Sequence, residues 1–359
     1  MRAARYHPPN TIRVAETPRP SPAPGEILVR VDVCGLCGSD VAKFAHGRGA
    51  GGDVLGHEVA GIVEEAPPPT DGAPHRFAPG DRVVVAHHAP CFECHYCAHG
   101  NFSMCRTFKA SNLAPGGFAE YFVASSAHVA TTAFVIPPTL SFEAATFMEP
   151  IACALKAMPR LNLRPGDLAV VYGLGPMGIL FARLISRYAG ARVVGVEPIE
   201  ERRAAARSSV VAAFAPGDDA LSEFVRAETA GRGADGAVLC AGRGSLAAEA
   251  VALVRDAGAI CLFAASPADS SVALPLSLVY YREVILYGSY SPGPDGYATA
   301  LSLLSNRTIL VEDLISHRLP LEETQRAFEM AMRGEGLKIM LRPGARPSAR
   351  ESATRGDSE

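Results

Sequence analysis

The stretch "DLAVVYGLGPMGILFARLISRYAGARVVGVEP", residues 167–198, decides how the second half of the chain folds. It opens on an apolar run, "LAVVY", turns on glycines, continues with helical apolar periodicity and closes on a second apolar run. Strands apolar on both faces belong in a parallel sheet covered by helices on each side. Gly173, Gly175 and Gly178 fit G-x-G-x-x-G. Glycines there permit a tight turn and let the backbone approach a pyrophosphate, whose charge rests on the helix N-terminus. The pattern is weak alone and gains weight from its place after a strand and before a helix. Glu197 stands nineteen residues past Gly178, where the second strand ends. A carboxylate there accepts hydrogen bonds from the adenosine ribose and repels a 2′-phosphate, so NAD is expected rather than NADP. Arg202 and Arg203 follow closely and are the side chains that could receive such a phosphate.

Downstream, "GADGAVLCAG", "SLAAEAVALVRDAG" and "AICLFAAS" repeat the strand–helix–strand alternation. Upstream the character changes. "EILVRVDVC" (26–34), "GHEVAGIVEEA" (56–66) and "GDRVVVAHH" (80–88) read as strands between Pro/Gly/Asp-rich turns, so the first 150 residues are expected to form a β-rich, barrel-like domain. "LPLEETQRAFEMAMRGEG" (319–336) reads as an amphipathic helix, and residues 344–359 as a disordered tail.

A length of 359 residues with 48% hydrophobic side chains suffices for two packed cores. The net charge of -3, with basic residues dispersed, gives no footprint for nucleic acid. No apolar run has signal-peptide or membrane-spanning character, so no membrane partner and a cytoplasmic setting are expected, with thiols kept reduced.

Four of the nine cysteines crowd into "HHAPCFECHYCAHGNFSMC", residues 87–105. Cys91, Cys94, Cys97 and Cys105 have the spacing by which thiolates on tight turns close a tetrahedral shell. A closed four-sulfur shell leaves no position for a substrate, so a structural zinc is expected. His87, His88, His95 and His99 are competing ligands, and a CxxC redox pair is the alternative reading. Cys34, Cys153, Cys240 and Cys261 sit in apolar segments and read as packed core thiols.

"CGLCGSD" (34–40), "LGHEVAG" (55–61) and "FMEPIACA" (147–154) are unremarkable singly. Together with the cysteine lobe, "GLGPMG" and the late "ISHRLPLEETQRAFE" and "GLKIML", they fall in family order. Over roughly residues 1–342 the chain resembles the zinc-containing medium-chain dehydrogenase/reductase superfamily, most of all its sorbitol (polyol) and threonine dehydrogenase branches. The resemblance implies a GroES-like, partly open β-barrel catalytic domain over 1–152, with its zinc lobe at 88–106. It further implies an inserted Rossmann NAD domain over 153–292, a return to the first domain over 293–343, and an active site in the cleft between the two.

Carried over by motif, Cys37 and His57 are ligands of a catalytic zinc, and Glu58 adjoins it. Glu149 stands where the polyol branch has glutamate and the classical alcohol dehydrogenases have cysteine; either carboxylate could ligate directly or through water. Ser39 resembles the hydroxyl that links substrate to the nicotinamide ribose. Further NAD contacts are implied at Met177, at Phe263, Ala264 and Ala265, and at Ser289, Tyr290 and Ser291. One departure stands out: "GSDVAKF" places Ala42 where many relatives have a relay histidine, leaving Lys43 and His46 as candidates for proton exit. The implied reaction moves hydride from a secondary alcohol (a polyol, sugar or amino-sugar hydroxyl) to NAD, giving a ketone. Two zinc ions per chain and a homodimer or homotetramer are implied as well. A threonine or vicinal-diol substrate is the second reading. A catalytically silent zinc- and dinucleotide-binding regulator is the third, and the joint retention of Cys37, His57, Glu58 and Glu149 argues against it.

Overall fold

A computed structural model of the chain describes residues 1–47, 52–70, 72, 76–267 and 270–344. The expected tail, from residue 345 onward, lies outside the described residues. Two compact units divide the chain, Met1–Glu149 with Val311 onward, and Pro150–Leu310.

In the first unit the alternating segments become an antiparallel sheet. Strand Ile27–Gly35 pairs with Glu58–Glu65, which pairs with Arg82–Ala86, followed by Ala133–Val135. Lys338–Arg342 and Ile315–Pro320 extend the other side, and Tyr121–Ala124 also pairs with Ile27–Gly35. A second, three-stranded sheet joins Thr11–Glu16, Arg2–His7 and Asp53–Val54. Val29, Val31, Val59, Val83, Phe118, Phe122 and Phe328 form the core beneath these strands. Register decides what the sheet presents at one end. Gly35 faces Glu58 and Glu58 faces Ala86. Cys37, His57 and His87, each one or two residues beyond those partners, therefore emerge at the same level.

The second unit is a six-stranded, all-parallel sheet in the order Ala212–Phe214, Arg192–Val196, Leu168–Tyr172, Ala234–Leu239, Val254–Leu262, Ile285–Gly288. Counted along the unit this is 3-2-1-4-5-6, the doubly wound Rossmann order. All five residues of the central strand "LAVVY" are buried, as covering on both faces demands.

Two boundaries differ from the sequence expectation. The chain re-enters the first unit at Val311 rather than near 293. Helix Asp295–Ser305 belongs to the second unit, burying Tyr297, Ala300 and Leu304. A Cβ added at Gly296 would lie 3.2 Å from that of Ala152, so this helix packs tightly where it is. The expected helix over 319–336 is also shorter. Leu319 and Pro320 finish a strand, Leu321–Glu323 form a 3₁₀ turn, and the helix proper is Thr324–Met332, followed by left-handed glycines at 334 and 336.

Candidate metal centre and cofactor cradle

Cys37 caps the N-terminus of helix Gly38–Ala45 directly after strand Ile27–Gly35. His57 precedes strand Glu58–Glu65. Gly56 makes this entry possible: its φ is +90°, and a Cβ there would lie 2.7 Å from Phe118 and 2.9 Å from the Cys34 sulfur. Cys34 is thus a fully buried packing thiol, as is Cys261, and Cys153 is buried too. Cys240, read with them, is only partly buried because it leaves its strand beside the glycine turn.

The ligand atoms of Cys37, His57 and Glu58 all lie within 4.8 Å of one another. Asp40 is buried behind this group, its Oδ2 3.3 Å from His57 Nδ1. A carboxylate on the second ring nitrogen fixes the imidazole's orientation and leaves the other nitrogen for a metal, so these residues fit a zinc ion with a position to spare. Glu58 is itself held from behind. Lys338 Nζ is 2.6 Å from Glu58 Oε2 and donates to the Leu36 carbonyl at 3.3 Å, with both side chains buried. Burial works against the lysine's charge, but Glu58 and Cys37 hold its pKa above the ordinary lysine value. Gly35 is required here too, since a Cβ would stand 2.4 Å from Glu58 Oε2. Glu149 is buried in the first turn of helix Met148–Ala157 and lies outside the group of three. Ser39 Oγ donates to the Cys37 sulfur at 3.3 Å. Lys43 is exposed on the same helix, and His46 Nδ1 sits 3.0 Å from the Ala42 carbonyl at the helix's end.

The four lobe cysteines form a second group within the same 4.8 Å limit. Their sulfurs are 3.6 Å apart for Cys91–Cys105 and Cys94–Cys97, and 3.9 Å for Cys91–Cys97. A disulfide needs about 2.05 Å. The edge of a zinc–thiolate tetrahedron with bonds of about 2.3 Å is about 3.8 Å, so the spacing matches a closed metal site. The histidines of this stretch go elsewhere. His95 and His99 stack on each other, and His99 bonds the His95 carbonyl. His87 and His88, expected as competitors for the lobe, leave the end of strand Arg82–Ala86 and line up with His57. Ring centroids are 4.4 Å apart for His57–His87 and 3.8 Å for His87–His88. Burial and the nearby cationic groups push His87 well below the ordinary histidine range.

In the second unit the expected cofactor residues gather at the carboxyl ends of successive parallel strands. Gly173 follows Tyr172, Glu197 follows Val196, Phe263 follows Leu262 and Ser289 follows Gly288. This is the edge at which doubly wound sheets bind nucleotides. Gly173 has φ +90°, Gly175 caps helix Pro176–Leu184, and Met177 lies in that helix's first turn. A Cβ at Gly178 would fall 1.8 Å from the Gly173 carbonyl oxygen, so no side chain fits there. Glu197 is buried and pinned, its two oxygens accepting from the backbone N–H of Leu174 (2.8 Å) and Ile199 (3.1 Å). Arg202 reaches within 3.8 Å of where a Gly175 Cβ would stand. Arg203 instead caps the carbonyls of Glu197 and Pro198. Phe263 packs edge-on against Phe181, and the Ala264 amide bonds the Leu239 carbonyl. A Cβ at Gly242 would meet the Ala265 carbonyl oxygen at 2.2 Å.

Two domain families match the sequence. Residues 23–134 match the alcohol dehydrogenase GroES-like domain, and residues 173–306 match the zinc-binding dehydrogenase domain. The chain belongs to the zinc-containing medium-chain alcohol dehydrogenases. It is 29% identical to a sorbitol dehydrogenase of Bombyx mori, over 94% of this chain and 97% of that one. It is 28% identical to D-xylulose reductase A of Aspergillus niger, over 92% and 93%. Among solved structures it resembles a zinc-binding dehydrogenase from Sinorhizobium meliloti 1021 bound to NADP, with a TM-score of 0.85, 27% identity, and coverage of 95% and 99%. The protein is accordingly an alcohol dehydrogenase acting on CH–OH donors, with zinc and a nicotinamide dinucleotide as its cofactors. No helix among the described residues is long and apolar enough to cross a membrane.

Three residues that hold members of these groups were not assigned from sequence: Asp40, Lys338 and Lys156. Asp40 was within reach as the acid of "CGSD". Lys338 is a lone charge in the apolar run "KIML", and a buried charge needs a partner. Lys156 donates to two consecutive carbonyls, Tyr290 at 2.9 Å and Ser291 at 3.0 Å. Ser291 has a left-handed φ of 57°, a strained conformation for a non-glycine residue. Lys156→Met is expected to loosen this turn and raise the Kd for NADH about tenfold, the equivalent of about 1.4 kcal/mol. NADH fluorescence titration checks it, and Lys156→Arg should recover part of the loss.

Proposed function

We propose that this dehydrogenase oxidises a secondary hydroxyl of a polyol or sugar to a ketone, with NAD as acceptor. The observation that carries the reading is the convergence of Cys37, His57 and Glu58 from separate segments, with Asp40 behind the imidazole. A zinc ion held there supplies Lewis acidity that lowers the pKa of an alcohol hydroxyl. The balance is alcohol plus NAD⁺ to ketone, NADH and one proton. Cys37 and His57 bind, while Glu58 or Glu149 completes the set. Ser39, beside the Cys37 sulfur, and then Lys43 on the exposed helix face offer a route for the proton where Ala42 replaces histidine.

Glu197, buried and fixed at its strand end, favours the 2′-hydroxyl of NAD, while Arg202 beside the glycine turn is the group that would soften discrimination against NADP. Gly173, Gly175, Met177 and Gly178 would cradle the pyrophosphate. Phe263 to Ala265 and Ser289 to Ser291 would frame the nicotinamide. The lobe of Cys91, Cys94, Cys97 and Cys105 is assigned a second, structural zinc. Purified enzyme should then hold two zinc ions, and Cys97→Ser one, with lower thermal stability; an unchanged metal count would refute the assignment. Absorbance of NADH formed from a panel of polyols, sugars, threonine and simple secondary alcohols tests the reaction. No NADH from any alcohol would favour the silent regulator.

A homodimer or homotetramer is proposed as well. Strand Ile285–Gly288 ends the parallel sheet, and Leu276, Tyr280, Tyr281 and Ile285 are exposed on or near it. Sedimentation velocity decides the assembly size.

A further inference from the structure

His95 and His99 stand together on the outside of the cysteine lobe, both exposed, and belong to neither of the ligand groups described above. Their spacing, His-x-x-x-His, sets two imidazoles on one face of a helical turn. The turn is short but fixed. Helix His95–Ala98 starts after Cys94 and buries Cys97. The Ala98, Gly100 and Asn101 amides donate to the carbonyls of Cys94, Cys97 and Tyr96 at 3.0, 2.9 and 2.8 Å. The two ring centroids are 4.3 Å apart.

The His99 ring is already oriented. Its Nδ1 lies 2.8 Å from the His95 carbonyl oxygen, which can only accept, so the proton sits on Nδ1 and Nε2 keeps its lone pair. A backbone carbonyl on one ring nitrogen is the arrangement that sets the tautomer of metal-ligating histidines. The His95 ring meets His99 and, edge-on, Tyr96, and has no side-chain hydrogen bond among the described residues. Both rings therefore present a nitrogen to solvent from one face of a rigid turn.

We propose that His95 and His99 form a two-imidazole site for a borderline divalent cation (zinc, nickel or copper(II)), with water filling the remaining positions. Imidazole nitrogen suits these ions, whereas magnesium and calcium take oxygen ligands. Among the described residues no third Cys, His, Asp or Glu completes a group with the pair, so the ion is held by two points and exchanges with solvent. The four sulfurs of the lobe form their group without either ring, so the two sites fill independently.

Nickel(II) is the probe, titrated by calorimetry into zinc-loaded holoenzyme while zinc content is followed by atomic emission. Wild type should take up nickel and retain its zinc. His95→Gln and His99→Gln should each weaken nickel binding at least about tenfold, the smallest loss usual even for an outer partner of a metal ligand. The two losses should not add in the double variant, since either substitution alone removes the two-point grip. His7→Ala, which deletes another exposed imidazole, should leave nickel affinity unchanged. NADH formation without nickel should match wild type in every variant. Undiminished nickel binding in both glutamine variants would overturn the proposal. So would uptake that releases zinc one for one, which would place the ion among the thiolates or at Cys37. Anomalous diffraction at the nickel edge from wild-type crystals gives a readout that needs no variant: a peak bonded to both rings is expected, and a peak elsewhere or none refutes the site.

Discussion

Cys37→Ala should lower NADH formation from every alcohol substrate by at least about a thousandfold. A Lewis acid supplies several kcal/mol of charge stabilisation, and each 1.36 kcal/mol is a factor of ten in rate. Its sulfur is the strongest donor in a group whose other members are one imidazole and one carboxylate. With the proposed pair of ions, the zinc count should fall by one, the lobe cysteines keeping theirs. NADH affinity, measured by fluorescence, should stay within about twofold, because the glycine turn and Glu197 form their contacts inside the second unit. A variant that kept full activity with one zinc fewer would place the reacting metal elsewhere.

Lys338→Met should destabilise the protein by about 3 kcal/mol or more, since removing one partner of a buried ion pair leaves the other charge uncompensated. Here the survivor is the Glu58 carboxylate, whose side chain is 1% exposed. Urea unfolding of the metal-free protein measures the loss. Adding Glu58→Gln to the lysine variant removes the orphaned charge and should restore a large part of it. A double mutant no more stable than Lys338→Met would show that packing, not charge, dominates at this position.

What the sequence disclosed and what it concealed follow from distance along the chain. The glycine turn and Glu197 lie within 25 residues of each other, and the four lobe cysteines within fifteen, so spacing alone describes their geometry. The parallel sheet covered on both faces was legible because strands such as "LAVVY" carry an unbroken apolar signature, whereas its doubly wound character came from the resemblance and its strand order from the structure. Cys37, His57 and Glu58 came only from resemblance, since the pairing that assembles them is set by sheet register. Lys338 is 280 residues from the glutamate it neutralises, beyond the reach of any local pattern. His87 and His88 were grouped with the cysteines because they are neighbours in sequence. Strand Arg82–Ala86 ends exactly between the two possibilities and delivers them to His57 instead. The return at Val311 was hidden for a related reason: helix Asp295–Ser305 looks alike whichever unit it covers.

The first unit is built from segments on either side of the second, and that dictates an order of events on the ribosome. Residues 150–310 are contiguous and can fold while translation continues. Strand Lys338–Arg342, the link between Ile315–Pro320 and Ile27–Gly35, emerges after the whole second unit, so the sheet stays open along that side until residue 342 has been made. Until then Glu58 lacks the Lys338 ammonium, and a nascent chain halted before residue 338 would carry a finished nucleotide fold and an unfinished catalytic one.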